Sequence, residues 1–128
     1  MTEVAAAWQD GEVRIVVPAE LAHVRLVRLS AAAFADRLGF DVDEIEDVRV
    51  AVDELASCLI ERASSGALTV VFTASEQVFA VAGHVAGTQN PVLDELTAQI
   101  LGAVVNSYET GTSNGTAWFR AEKSIPFK

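Results

Sequence analysis

The residues Ile45, Val48, Val52, Leu55 and Leu59 recur at steps of three and four through "DVDEIEDVRVAVDELASCLIERA". That spacing puts them on one face of a helix of about five turns, and an apolar stripe so long must be buried against another layer. The helix opens on polar "DVDEIED", with Asp43 as the expected N-cap and Glu44, Glu46 and Asp47 favourably placed in its first turns. It ends near Ser64–Gly66. The segment before it, "AELAHVRLVRLSAAAFADRLGF", repeats the helical period with Leu21, Val24, Val27, Ala31, Phe34 and Leu38 and stops at Gly39.

The flanking segments carry strand signals. Val13–Pro18 (VRIVVP), Leu68–Thr73 (LTVVFT) and Val78–Val81 (VFAV) are rich in β-branched residues, with a turn at "ASEQ" between the last two. "AGHVAGTQNP" reads as a glycine-containing loop. "VLDELTAQILGAVV" then forms a third helix, with Leu93, Leu96, Ile100 and Val104 on one face. The chain closes with a hairpin, "NSYET" and "TAWFRAEKSI" about Asn114-Gly115. The order of strand, two helices, two strands, helix, two strands predicts a two-layer α/β sandwich. Its sheet is mixed but mostly antiparallel, covered on one face by about three helices. The strict alternation of a parallel nucleotide-binding sheet is missing.

At 128 residues, half of them apolar, the chain fits a single domain with a real core, and residues 1–11 read as a flexible N-terminus. No segment suits a membrane span, and the acidic start "MTEVAAAWQDGEV" has no basic secretory region. Cys58 is the single cysteine, which suits a reducing cytoplasm. Eighteen Asp and Glu against nine Lys and Arg give a net charge of −9. Such a surface repels phosphate backbones, so the partners expected are proteins with basic faces rather than nucleic acid. The simpler effect of that charge is solubility.

The common catalytic signatures are missing: no G-x-G-x-x-G, P-loop, G-x-S-x-G or Cys/His metal spacing occurs. His23 and His84 stand apart and read as solvated. Cys58 has no nearby base and reads as a small, partly buried residue. Glu54 and Cys58 lie four apart on one helical face. From spacing alone Glu54 is either a general base or a solvated edge carboxylate, and the spacing favours the second.

"DVRVAVDELASCLIERA" resembles the signature helix of the anti-sigma factor serine/threonine kinases of the RsbW/SpoIIAB type, members of the GHKL histidine-kinase-like ATPase superfamily. The likeness runs over about residues 12–123, from "RIVVPAE" to "GTAWFRAEKS", and "AVDE" is its most specific piece. It implies that Glu54 stands at the catalytic glutamate, Cys58 at the magnesium-ligating asparagine and Arg62 at a histidine. The second nucleotide box falls on "GHVAG", so Gly83 replaces the adenine-binding aspartate, Val85 replaces a glycine and only Gly87 is kept. The third falls on "ELTA", with Glu95 and Thr97 at glycine positions, and the lid "TQNPVL" is short. Degenerate actinobacterial anti-sigma proteins are more similar in these boxes than the active kinases are.

The resemblance thus implies an anti-sigma factor with a degenerate nucleotide site and no cofactor. Such a protein holds an alternative sigma factor until a STAS-domain antagonist releases it. A homodimer is implied, with Arg25 or Arg28 on the first helix reaching the sigma factor. Asp43, Glu44, Glu46 and Asp47 are further candidate contacts, although helix capping explains them equally well. Two alternatives remain: an active ATP- and magnesium-dependent kinase of the antagonist, and an adaptor or dimerisation module of the same fold.

Overall fold

The computed structural model describes residues 12–126; the N-terminal stretch 1–11 lies outside the described residues. Strand β1 (Val13–Pro18) leads through a 3-10 turn (Leu21–His23) into helix α1 (Val24–Arg37), followed by α2 (Val42–Glu61). Strands β2 (Ser65–Ser75) and β3 (Val78–Ala86), helix α3 (Glu95–Val104) and strands β4 (Ser107–Ser113) and β5 (Thr116–Ser124) complete the chain. The five strands form one sheet in the order β1-β2-β3-β5-β4. Every pairing is antiparallel, so the mostly antiparallel expectation holds without any parallel pair. No helix among the described residues is long and apolar enough to cross a membrane.

Period-two burial divides the sheet into two faces. Val17, Leu68, Val70, Phe72, Phe79, Val81, Val85, Ala117, Phe119 and Ala121 point inward and meet Val27, Phe34, Val48, Val52, Leu55, Leu59 and Leu101 from the helices. Phe34 joins the layers. Its ring centroid lies 5.8 Å from those of both Phe72 and Phe79, within the range of favourable aromatic pairs.

Helix α3 begins at Glu95 and not at Val92, and Leu101 rather than Leu96 is buried, because Asp94 caps the first turn. Two further local outcomes differ from the sequence reading. The N-cap of α2 is Asp41, not Asp43. Asp41 accepts a hydrogen bond from the Glu44 N–H at 2.8 Å, while the Glu44 carboxylate accepts from the Asp41 N–H at 2.9 Å. This reciprocal capping box satisfies two donors that the first turn leaves without partners, whereas Glu46, three residues after Asp43, accepts from Arg49 instead. Asp41→Ala is expected to cost about 1 kcal/mol and to lower the melting temperature by roughly 3–5 °C. Asp43→Ala should leave it nearly unchanged, and differential scanning calorimetry of both variants checks the assignment.

The second difference is that "AGHVAG" is not a loop. It continues β3, with Gly83 opposite Val70 and Phe119, and His84 opposite Thr69 and Trp118. Alternating burial from Val81 through Ala86 outweighs the two glycines that suggested a loop. The closing turn is as expected, with Asn114 at φ 51° and Gly115 at φ 78°, the left-handed pair that joins tightly twisted strands.

Candidate functional site

One face of α2 forms the floor of an open cleft of about 260 Å³, lined by Glu54, Ser57, Cys58, Glu61, Val92, Leu93, Asp94 and Thr97. The helix period explains the floor: positions 54, 57, 58 and 61 fall on one stripe, beside the buried stripe of Leu55 and Leu59. The wall comes from the segment that follows β3 and from the first turn of α3. Glu54, Cys58 and Thr97, separate in sequence, are therefore brought together.

The other residues singled out are placed elsewhere. Gly83 and Val85 point into the core between sheet and helices, and Val85 is 1% exposed. A Cβ at Gly83 would run into the ring of Phe119 on the neighbouring strand. At Gly87 a Cβ would meet the carbonyl oxygen of Arg62, so a glycine is required where the chain crosses the end of α2. Glu95 is exposed in the first turn of α3 and does not line the cleft.

The cleft is acidic. Glu54, Glu61 and Asp94 face it without a cationic side chain among its lining residues. Asp94 is the N-cap of α3 and accepts from the Thr97 N–H at 2.7 Å. Those bonds from the Thr97 N–H and hydroxyl hold the Asp94 carboxyl below the usual carboxylate range. An anion-binding helix start is thus already occupied by the chain's own carboxylate.

Cys58 is buried, and its Sγ donates to the Val92 carbonyl at 3.3 Å. Burial, and then the charge of Glu61, push its thiol above the ordinary value. It is consequently a protonated thiol near neutrality rather than a nucleophile or ligand. Among the described residues, no group of His, Cys, Asp and Glu is arranged to hold a metal ion.

The two candidate arginines of α1 differ. Arg28 Nη1 donates to Asp53 Oδ1 at 3.0 Å and ties α1 to α2. Arg25 is exposed and makes no ion pair among the described residues. Leu21, Leu26 and Leu29 surround it in sequence and are 58%, 52% and 49% exposed. Of the four acidic candidates at the start of α2, Glu44 is held in the capping box, Glu46 bonds Arg49 at 2.9 Å and Asp47 lies 3.6 Å from Lys123. Asp43 alone among them has no such engagement within the described residues.

Sequence reasoning missed Asp94, Glu61 and Phe119. Asp94 stands just before a helical run and three residues ahead of Thr97, a legible capping signal. Glu61 lies seven residues beyond Glu54, on the same helical face. Phe119 had no local signal, because its place over Gly83 depends on strand register.

Comparison with known proteins agrees with this architecture. The histidine kinase-like ATPase domain matches residues 17–109. The serine-protein kinase RsbW of Bacillus cereus is 33% identical over 64 residues, 48% of this chain and 40% of that protein. The serine-protein kinase RsbW of Bacillus mycoides is 31% identical over the same length. The matched stretch thus spans well under half of these curated relatives. Among solved structures, the RsbU and RsbW domains of Rv1364c from Mycobacterium tuberculosis superpose with a TM-score of 0.74 at 15% identity, over 89% of this chain and 32% of that one. At that identity the likeness establishes the fold.

Proposed function

We propose that this chain, which belongs to the histidine kinase-like ATPase domain family, is an anti-sigma factor that works by binding and not by phosphoryl transfer. It holds an alternative sigma factor away from RNA polymerase in the cytoplasm, as a homodimer, and a STAS-domain antagonist displaces it. The observation that carries the absence of transfer is the cleft itself. Phosphoryl transfer depends on positioning a triphosphate and its magnesium. Here the three carboxylates Glu54, Glu61 and Asp94 line the cavity, and Asp94 already caps α3.

The remaining nucleotide positions argue the same way. Magnesium requires oxygen ligands in near-octahedral array, whereas Cys58 offers a protonated sulfur bonded to Val92. The space that a side chain at Gly83 would need is filled by Phe119. The residues present do not suit a nucleotide with magnesium. Sigma binding is supported by Arg25, a cation set among exposed leucines on α1.

Glu54 in the cleft is the observation that favours the kinase reading. Isothermal calorimetry with ATP and magnesium, and a pull-down from host lysate with and without ATP, separate the readings. The binding reading expects no heat up to millimolar ATP and a sigma factor retained equally in both pull-downs. Micromolar ATP affinity would establish a live nucleotide site. Retention of some other protein without a sigma factor would leave the adaptor reading.

A further inference from the structure

We propose that residues 1–11 fold back as an arm and seat the indole of Trp8 in the recess between the start of β1 and the last turn of α1. The recess holds about 200 Å³ and is lined by Glu12, Val13, Phe34, Arg37 and Leu38. It is an opening in the flank of the core. Phe34 is the ring that joins the two layers, and Val13 and Leu38 are only partly buried against the same core. β1 is an edge strand, so no further strand among the described residues covers that side. The floor is therefore apolar, and Glu12 and Arg37 supply the polar part of the lining.

Size, reach and chemistry point to the chain's own arm as the occupant. Sites for small molecules usually measure roughly 300–1,000 Å³, so this recess suits one side chain better than a ligand. Residues 1–11 join the fold at Glu12, which itself lines the recess. Trp8 stands four residues earlier, a reach of at most about 14 Å, and Gly11 lets the backbone reverse within it. The arm is not composed like a solvated tail, because Val4, Ala5, Ala6, Ala7 and Trp8 form an unbroken apolar run. An indole in the recess exchanges water for Val13, Phe34 and Leu38 and can present its face to the Arg37 guanidinium. Asp10 brings a carboxylate toward the same cation. The inference does not depend on what the chain binds.

Tryptophan fluorescence tests the arm, because the chain has two tryptophans and the other lies on the far side of the sheet. Trp118 sits between inward-facing Ala117 and Phe119 on β5 and so points away from the helices. In a Trp118→Phe chain, Trp8 is expected to emit to the blue of N-acetyltryptophanamide. Acrylamide should quench it roughly threefold less, as for a ring largely withdrawn from water. Adding Leu38→Asn, which makes the floor polar, should return both values to those of the free amide with the far-UV circular dichroism unchanged. Trp8→Ser tests the same contact without touching the folded core. It should lower the melting temperature of the otherwise unaltered chain by roughly 3–5 °C, and deletion of residues 1–10 by a similar amount. Free-amide emission and quenching in the folded Trp118→Phe chain would overturn the proposal. Protection that grows with protein concentration would place the indole on a second copy and overturn it equally. So would protection that survives Leu38→Asn, or a melting temperature unmoved by both Trp8→Ser and the deletion.

Discussion

Gly83→Asp, which would place a carboxylate where the family resemblance implies one, should be among the most destabilising single substitutions in the chain. Gly83 lies mid-strand in β3, paired with Val70 on one side and Phe119 on the other, and it faces the helices. The Phe119 ring, 1% exposed, covers it, and a Cβ would fall inside the ring's Cε2 and Cζ contact distance. Overpacking alone costs about 1–3 kcal/mol. A carboxyl placed there without a hydrogen-bonding partner adds roughly 2 kcal/mol or more. Together these consume a large share of the roughly 5–15 kcal/mol that stabilises an ordinary domain. Urea titration should show the midpoint fall sharply for Gly83→Asp and less for Gly83→Ala, which isolates the steric part. Phe119→Leu should recover part of the Gly83→Ala loss, with a coupling of more than about 0.5 kcal/mol, as residues in direct contact give. A Gly83→Asp chain as stable as the parent would show that the ring moves aside freely. It would also remove the steric part of the case against a nucleotide at this position.

The same pair of residues shows where the sequence stops being legible. Periodicity was enough for α2, because Val48, Val52, Leu55 and Leu59 are spaced by the helix itself and need no partner to be recognised. The closing hairpin was equally legible from Asn114-Gly115, where both residues take left-handed backbone angles. Phe119 over Gly83 was not, since it depends on the pairing of two strands with a helix between them in sequence. His84 was misplaced for a related reason. The flanking glycines signal a loop locally, and only ladders on both sides show that β3 runs on to Ala86. The cap of α3 is different: Asp94 and Thr97 carried the signal, but the apolar Val92 and Leu93 ahead of them extended the apparent helix. Arg25 and Arg28 were indistinguishable because the residue that separates them, Asp53, lies on another helix.

If the chain binds a sigma factor as proposed, Arg25→Glu should weaken binding to the purified sigma factor by about a hundredfold to a thousandfold, about 3–4 kcal/mol, the loss expected when an interface cation is reversed. The size follows from the surroundings. Arg25 is ringed in sequence by exposed Leu21, Leu26 and Leu29. A partner covering those leucines removes water from the guanidinium, and a charge desolvated in that way depends strongly on its counter-ion. Arg28→Ala is the contrasting variant. The Arg28–Asp53 bridge spans side chains that are 31% and 40% exposed, so its loss costs at most about 1 kcal/mol of stability. It should leave the sigma affinity within a few-fold of the parent. Titration of both variants, with their melting temperatures measured alongside, distinguishes a docking cation from a brace between helices. If Arg28→Ala lost the sigma factor while Arg25→Glu kept it, the contact would depend on how α1 is set against α2. The exposed leucines would then need a different partner.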